Sequence, residues 1–156
     1  MIICYVDGLC ESAYEGGPQN PGGVATYGYR IEREDGSFLA EGSGVIGEGG
    51  GMTSVGAEYE ALSQALSYLL NANITSEKVD VRSDNRQLVY QMKGDWKIRR
   101  GAYIAKYESA KALVSRFSQI DYTWIPRESN IEADELSRRA YRRYISERVP
   151  TGGSNR

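Results

Sequence analysis

The sequence predicts an α/β fold in which a five-stranded mixed sheet carries helices on both faces. Three successive segments near the N-terminus have the composition of β-strands and are separated by turn-forming residues, which indicates an antiparallel meander. Beyond residue 53, segments with helical periodicity alternate with two further short strands. Such crossover connections place strands parallel to one another. The first strand is therefore expected in the middle of the sheet, between the meander and the fourth strand.

The three N-terminal strands are predicted at residues 2–8, 24–32 and 38–46. Residues 2–8 form a nearly continuous apolar run, which is typical of a strand that is covered on both faces. Residues 15–23 are dense in glycine, proline and asparagine and are predicted to form a loop. Residues 42–51 contain six glycines without the Gly-Lys-Ser or Gly-Lys-Thr ending of a phosphate-binding loop, so we interpret them as a flexible connection.

The second half of the chain is predicted to be mainly helical. Apolar residues recur at helical spacing over residues 54–72, which indicates a long helix. Further helices are expected at residues 85–92, 103–117 and 132–147, and the two short strands at residues 78–84 and 119–125. The inner face of the 103–117 helix is expected to consist of Ala105, Ala110, Leu113, Val114 and Phe117.

Length and composition are those of an ordinary globular protein. The 156 residues are expected to form a single domain over residues 1–149, followed by a flexible tail at residues 150–156. No apolar run is long enough to span a membrane and no signal peptide is recognisable, so a cytoplasmic protein without membrane contact is expected. No obligate protein partner is evident, so a monomer is expected. Cys4 and Cys10 are too few for a disulfide framework and are expected to be reduced.

The chain contains no histidine. This absence excludes Ser-His and Cys-His catalysis and histidine-bearing zinc sites, which leaves carboxylates as the main candidates for acid, base and metal chemistry. The net charge is −2, but residues 1–60 carry a net charge of −8 and residues 61–156 one of +6. This asymmetry indicates one surface suited to a polyanion, although two unrelated solvated faces would give the same totals.

Four carboxylates occupy positions that should converge. Asp7 ends the first strand and Asp84 ends the fourth, and the carboxyl ends of parallel neighbours meet at one edge of a sheet. Glu58 lies in the first turns of the long helix on the side expected to face the sheet, and Asp134 lies near the start of the last helix. Several buried carboxylates repel one another and favour a divalent cation. With oxygen ligands and no histidine, Mg²⁺ is the expected ion and Mn²⁺ its possible substitute.

These acids belong to a set of motifs with a recognisable order. The motifs are Tyr5-Val6-Asp7-Gly8, Asn20-Pro21-Gly22-Gly23, Thr53 with Ala57-Glu58-Tyr59 and Ala61-Leu62, Ser83-Asp84 with Leu88-Val89, and Asn130 with Ala133-Asp134 and Leu136. In this order the chain resembles type 1 ribonuclease H over nearly its whole length. It is most similar to the archaeal and bacterial branch that lacks a histidine loop, and its basic protrusion is short. The resemblance implies endonucleolytic cleavage of the RNA strand of RNA–DNA hybrids, leaving 5′-phosphate and 3′-hydroxyl ends.

The resemblance also implies roles for individual residues. In a two-metal hydrolysis, Asp7 would bridge both ions and Asp134 would complete the second site. Glu58 and Asp84 would each bind metal and hold or orient the coordination geometry. Many members of the family carry a histidine before the position of Asn130 that assists proton transfer or product release. Arg127 is the nearest polar candidate for this role here, and the alternative is a phosphate contact or a surface charge. The residues expected to contact the substrate are Gly8, Asn20, Gly22, Gly23, Ser54, Gln87, Trp96, Lys97, Arg99, Arg100 and Asn130.

The chain departs from the family pattern in ways that leave alternatives open. Ser54 and Val55 stand where paired asparagines are usual, and one extra residue follows Asp84, so the minor-groove contacts and the register of Gln87 are open.

One rival function is a structure-specific DNA nuclease of the same fold, such as a resolvase, whose motifs match less well around Glu58. Another is a non-catalytic module that binds hybrids, which a missing acid would favour. A metal-dependent phosphatase would require a nucleophile and a phosphate loop that are not found.

Overall fold

The computed structural model describes residues 1–11 and 23–148. The strands are β1 (Ile2–Glu11), β2 (Val24–Arg33), β3 (Phe38–Glu48), β4 (Val79–Ser83) and β5 (Ile120–Trp124). The helices are α1 (Ser54–Asn71), α2 (Arg86–Lys93), α3 (Ile104–Val114) and α4 (Ile131–Arg148), with one turn of 3-10 helix at Arg127–Ser129. The strands form a single mixed sheet in the order β3-β2-β1-β4-β5, which confirms the predicted fold class.

β1 lies in the middle of the sheet and is longer than predicted. It pairs antiparallel with β2 along its whole length, whereas its parallel pairing with β4 ends at Tyr5, opposite Arg82. Asp7 therefore lies just beyond the point where β1 loses its parallel neighbour, and β1 continues for four further residues after it, to Glu11. This step in the edge of the sheet leaves an opening beside Asp7.

The interpretation of residues 42–51 as a flexible connection is wrong up to Glu48, where β3 ends. Gly42 and Gly44 pair with Tyr29 and Tyr27 of β2 in the antiparallel register. A Cβ at Gly42 would lie only 2.6 Å from the ring of Tyr29, and one at Gly44 would lie 2.9 Å from the hydroxyl of Tyr27. These glycines are strand residues because the tyrosine rings of the neighbouring strand occupy the space above them.

Two glycines allow helices to approach both faces of the sheet closely. Gly28 pairs with Asp7, so its face of the sheet is opposite to that of Gly8, the next residue of β1. A Cβ at Gly8 would lie 2.3 Å from the backbone of Ala57 in α1, and one at Gly28 would lie 2.4 Å from the carbonyl oxygen of Ala133 in α4. α1 and α4 therefore pack on opposite faces of the sheet, which confirms the expectation of helices on both faces.

The main hydrophobic core lies on the α1 side of the sheet. Its fully buried residues include Ile2, Cys4, Val6, Ile31, Leu62, Leu66, Leu69, Val79, Val81, Leu88 and Val89. Cys4 and Cys10 form no disulfide. Their positions six residues apart on one strand separate their Cα atoms by about 20 Å, which no disulfide can bridge.

The packing of α3 differs from the predicted inner face. Of the five residues expected there, only Ala110 is fully buried, while Ala105 is exposed. Tyr103 and Tyr107 make the closer contact with α1, their ring centroids lying 6.0 and 5.6 Å from that of Tyr59. Helical periodicity did not predict this face because large tyrosine rings, rather than the aliphatic residues, determine how α3 lies on α1.

Among the helices of the described ranges, none combines the length and the apolar character needed to cross a membrane. The predicted tail at residues 150–156 lies outside the described residues, and so do residues 15–22 of the predicted loop.

We expect Gly28→Ala to lower the free energy of unfolding by about 2–3 kcal/mol, because the added methyl group overlaps the backbone of α4. Urea denaturation followed by circular dichroism measures this change. Gly50→Ala is the control, since apart from its chain neighbours no described residue has an atom within 4 Å of a Cβ built there. Its effect should stay below about 0.5 kcal/mol. Equal stability of the two variants would contradict the tight packing of α4 on β2.

Candidate active site

Three carboxylates meet at the edge of the sheet where β1 extends beyond β4. One carboxylate oxygen from each of Asp7, Glu58 and Asp84 lies within 4.8 Å of the other two. Asp7 and Glu58 are each 6% exposed, and Asp84 is partly buried. The structure thus brings together three of the four acids that the sequence singled out.

Glu58 reaches Asp7 because the first turns of α1 lie directly on β1. Thr53 caps the helix, since its hydroxyl oxygen accepts a hydrogen bond from the backbone N–H of Gly56 at 2.9 Å. A Cβ at Gly8 would lie 2.3 Å from the backbone nitrogen of Glu58. Any larger residue at position 8 would therefore push Glu58 away from Asp7.

Asp84 is held at the start of α2 by the hydrogen bonds of its neighbours. The backbone N–H of Asn85 donates to the Ser83 hydroxyl at 3.0 Å, and the Asn85 side chain accepts from the Leu88 N–H at 2.9 Å. The indole N–H of Trp124 donates to the carbonyl oxygen of Asp84 at 3.1 Å. Asn85 is therefore the N-cap of α2. The extra residue noted after Asp84 lies in this capping turn.

Asp134 lines the same cleft, but its carboxylate is engaged by a cation of its own helix. Arg138 Nε lies 3.0 Å from Oδ1 and 3.2 Å from Oδ2 of Asp134. The start of α4 is fixed by Asn130, whose side-chain amide donates to the carbonyl oxygen of Val6 at 2.9 Å. Asn130 is thus buried against β1, one residue before Asp7, which places the fourth acid next to the other three.

The crowding of these acids raises their pKa values. Burial is the main cause that raises the pKa of Asp7 to about 8, and the charge of Asp84 and a hydrogen bond with Asp134 add to it. Burial also raises the pKa of Glu58 well above its usual value, together with the charges of Asp7 and Asp84. The pKa of Asp84 is raised by burial too, although the charge of Arg127 opposes this shift. Without a further positive charge, the cluster therefore resists full ionisation at neutral pH.

The donor set fits a divalent cation. Oε1 of Glu58 is buried and makes no hydrogen bond within the part of the chain that the structure describes. Such an oxygen is costly in a folded protein unless a ligand satisfies it. Three carboxylates without histidine or cysteine are the ligands that Mg²⁺ and Mn²⁺ prefer. Asp7, Glu58 and Asp84 could hold such an ion, and Asp134 could join them, since its carboxylate has acceptor sites beyond those used by Arg138.

The other predicted site residues fall into two regions. Ser54 and Arg127 line the acidic cleft, a cavity of about 370 Å³, together with Gly8. Gln87, Trp96, Lys97 and Arg99 line a separate groove of about 530 Å³ between α2 and the following loop, with Arg100 exposed nearby. Asn20 and Gly22 lie outside the described residues, and Gly23 precedes β2. The roles of these residues in substrate binding stay predictions.

Two residues of the cleft were not predicted. The guanidinium of Arg138 forms an ion pair with Asp134 and lies 3.9 Å from Glu11. The i, i+4 spacing of Asp134 and Arg138 was a signal for this pair. Trp124 also lines the cleft. The guanidinium of Arg86 lies over its ring, with Cζ 4.3 Å from the ring centroid. Nothing in the spacing of Arg86 and Trp124 along the chain indicates this contact.

Comparison with known families and proteins gives consistent matches. A family model described as reverse transcriptase-like matches residues 14–140. A bifunctional protein of Mycobacterium tuberculosis is 35% identical over 124 residues, which cover 79% of this chain and 33% of that protein. Ribonuclease HI of Halobacterium salinarum is 29% identical over 133 residues, which cover 85% of this chain and 64% of the relative. The chain thus spans about a third of the mycobacterial relative.

A solved structure extends this similarity to the fold. LC11-RNase H1, crystallised in complex with an RNA/DNA hybrid, is 34% identical and superposes with a TM-score of 0.78. The match covers 93% of this chain and 99% of that chain. The sheet order and the helices described above are therefore shared along nearly the whole of both chains.

In the absence of metal, we expect the free energy of unfolding to fall as the pH rises from about 4 to about 8. Asp7 has its pKa raised from 3.8 to about 8 in the folded protein. In this window the folded protein therefore binds more protons than the unfolded chain, and raising the pH favours unfolding. Asp7→Asn should reduce this dependence and stabilise the metal-free protein by about 2 kcal/mol near pH 8.

Denaturation in EDTA at several pH values measures both effects. Asp95→Asn is the control, because Asp95 is exposed and lies outside the acidic cleft. If the wild type and Asp7→Asn lost stability in parallel as the pH rises, the interpretation of the acid cluster would be wrong.

Proposed function

Because the chain belongs to the type 1 ribonuclease H family, we propose that it is an endoribonuclease that hydrolyses the RNA strand of RNA–DNA hybrids. The products would carry 5′-phosphate and 3′-hydroxyl ends. The observation that carries this proposal is the convergence of Asp7, Glu58 and Asp84, with Asp134 in the same cleft. Hybrid binding by LC11-RNase H1 supports the same substrate class.

The acids of the cleft would hold two divalent cations, Mg²⁺ or its substitute Mn²⁺. When bound, such ions lower the pKa of an attacking water and stabilise the leaving oxygen of a phosphodiester. Asp7 lies close to Glu58 and Asp84 and also interacts with Asp134, which suits a ligand that both ions would share. The raised pKa values mean that Asp7 and Glu58 would release protons when cations bind.

The cleft also contains two arginines. One would contact the reacting strand, and the other would orient a carboxylate that binds metal. Arg127 is exposed, lines the cleft and lowers the pKa of Asp84 through its charge, so it can meet a phosphate at the reacting position. Arg138 keeps the carboxylate of Asp134 oriented at the start of α4 through its paired contacts. The positive charge of both would offset the repulsion between the acids and an anionic substrate.

The second region would hold the rest of the hybrid. The loop after α2 carries Lys97, Arg99 and Arg100 together with Trp96, which is 48% exposed and packs on Tyr90. Positive side chains and an exposed aromatic ring suit phosphate contacts and stacking along a nucleic-acid strand. The RNA strand would be distinguished by the 2′-hydroxyls in the wide minor groove of the hybrid.

We further propose that the protein acts as a cytoplasmic monomer.

The rival functions differ in what they require of the cleft. A resolvase-like nuclease would need to accept branched DNA, and a hybrid-binding module would not need buried acids that are costly to keep together. The unsatisfied oxygen of Glu58 favours a catalytic or metal-binding role over passive binding.

A cleavage assay separates these functions. We expect cleavage of the RNA strand of a hybrid in Mg²⁺, none in EDTA, and little or none of duplex RNA or branched DNA. Asp7→Asn and Asp84→Asn should each lower kcat by about 1000-fold or more, since cation binding supplies several kcal/mol of transition-state stabilisation. Asp35→Asn, in the exposed turn between β2 and β3, is the matched control and should keep wild-type activity. Wild-type turnover by Asp7→Asn, or preferential cleavage of branched DNA, would overturn the proposal.

We expect Arg127→Ala to lower kcat by about tenfold, because one charge-assisted contact to a phosphate is lost. Arg127→Lys should restore part of this loss, since it keeps the charge but not the two-pronged geometry. Steady-state kinetics on the same hybrid measures both variants. Unchanged kcat in Arg127→Ala would mean that Arg127 is a surface charge without a catalytic role.

A further inference from the structure

A buried hydrogen-bond network joins α1, α2 and the start of α3 to the loop after α2. This loop carries Lys97, Arg99 and Arg100 and is called the basic loop below. The hydroxyl of Tyr59 donates to Oε1 of Gln91 at 2.7 Å. The amide nitrogen of Gln91 donates to the hydroxyl of Tyr103 at 3.0 Å and to the carbonyl oxygen of Lys97 at 3.1 Å. The Tyr103 hydroxyl in turn accepts from the backbone N–H of Arg99 and donates to its carbonyl oxygen, both at 2.9 Å.

Every polar group of this network is used. Gln91 donates both of its amide hydrogens. The Tyr103 hydroxyl donates its one hydrogen and accepts two hydrogen bonds. The amide orientation of Gln91 is forced, because the flipped side chain would set its oxygen against the carbonyl oxygen of Lys97. Tyr59, Gln91 and Tyr103 are at most 7% exposed, so removing one partner leaves another buried group unsatisfied.

The basic loop depends on these side chains for its conformation. α2 ends at Gly94, whose left-handed backbone (φ 87°) turns the chain, and the N–H groups of Asp95 and Trp96 then bond to the carbonyl oxygen of Tyr90. From Lys97 to Arg100, no backbone–backbone hydrogen bond is formed with any described residue. The hydrogen bonds to Gln91 and Tyr103 hold the backbone of Lys97 and Arg99, while Ile98 between them packs against the hydrophobic core.

The same network reaches the acid cluster through the chain. Tyr59 follows Glu58 directly and is completely buried, with its ring stacked on Tyr103 and edge-on to Tyr107. Tyr59 thus connects the turn of α1 that carries Glu58 to the network through one hydrogen bond and one ring stack. The distance between the acid cluster and the basic loop is fixed by rigid, fully satisfied groups rather than by a flexible connection.

We propose that Tyr59, Gln91 and Tyr103 are positioning residues that hold Lys97 and Arg99 in the conformation that receives the nucleic-acid substrate, in fixed register with Glu58. This inference rests on the proposed function for the identity of the substrate. Preorganisation lowers the entropy lost on binding, so the network acts on substrate affinity and leaves the chemical step unchanged.

Tyr103→Phe tests this role, because it removes the hydroxyl and keeps the ring. We expect the amide of Arg99 to exchange with solvent much faster, as measured by NMR hydrogen exchange. KM for an RNA–DNA hybrid should rise about three- to tenfold, the cost of ordering one or two interface side chains, with kcat unchanged. Gln91→Leu should act in the same direction.

Tyr107→Phe is the matched control. Tyr107 packs on the same Tyr59 ring from the same helix, and its hydroxyl makes no hydrogen bond to the described residues. Its KM and the exchange of the Arg99 amide should match those of the wild type. Equal effects of the two substitutions, or a loss of kcat with unchanged KM in Tyr103→Phe, would overturn the inference.

The two proposals fail separately. If the wild type does not cleave hybrids, the proposed function is wrong, and affinity for a labelled hybrid in Ca²⁺ replaces KM as the readout. Unchanged affinity and unchanged exchange of the Arg99 amide in Tyr103→Phe would then reject the positioning role by itself. If the wild type cleaves hybrids and Tyr103→Phe keeps its KM, only the positioning role is wrong.

Discussion

The close contact between β1 and the first turns of α1 is the constraint on which the rest of the site depends. The backbone of α1 lies so near Gly8 that no side chain fits between them. This approach carries Glu58 over the edge of the sheet to Asp7, although the two residues come from different layers. Because Gly8 is the next residue after Asp7, the position of α1 and the position of the central acid are set at the same point of the chain.

Around this contact, the protein maintains an arrangement that opposes its own stability. Asp7, Glu58 and Asp84 share a small volume, and burial together with mutual repulsion disfavours their charged forms. Arg127 and Arg138 line the same cleft and supply positive charge, while Asp7 and Glu58 are buried. Local conflicts of this kind are characteristic of functional sites, where a bound ion or substrate supplies the missing interaction.

The sequence was sufficient for the parts of the structure that repeat a simple physical pattern. Strand and helix periodicity predicted the elements, and the crossover connections predicted a mixed sheet with β1 in the middle. The ends of parallel strands predicted that Asp7 and Asp84 would meet. The glycines of β3 were misinterpreted because their role depends on tyrosine rings of the neighbouring strand. The same limit applies to the Tyr59–Gln91–Tyr103 network and to the stacking of Arg86 on Trp124, since residues that meet only in the fold leave no periodic trace.

The bond between Asn130 and Val6 has a consequence for the order in which the molecule forms. Where β1 has lost its parallel neighbour, the carbonyl oxygen of Val6 is satisfied by a side chain 124 positions later in the chain. Thr26 of β2 is likewise bonded to Ser137, 111 positions later. A nascent chain that still lacks α4 therefore leaves these buried strand groups without their partners. Because Asn130 and Asp134 both belong to the region around the start of α4, the pocket is complete only once this last helix has docked on the sheet.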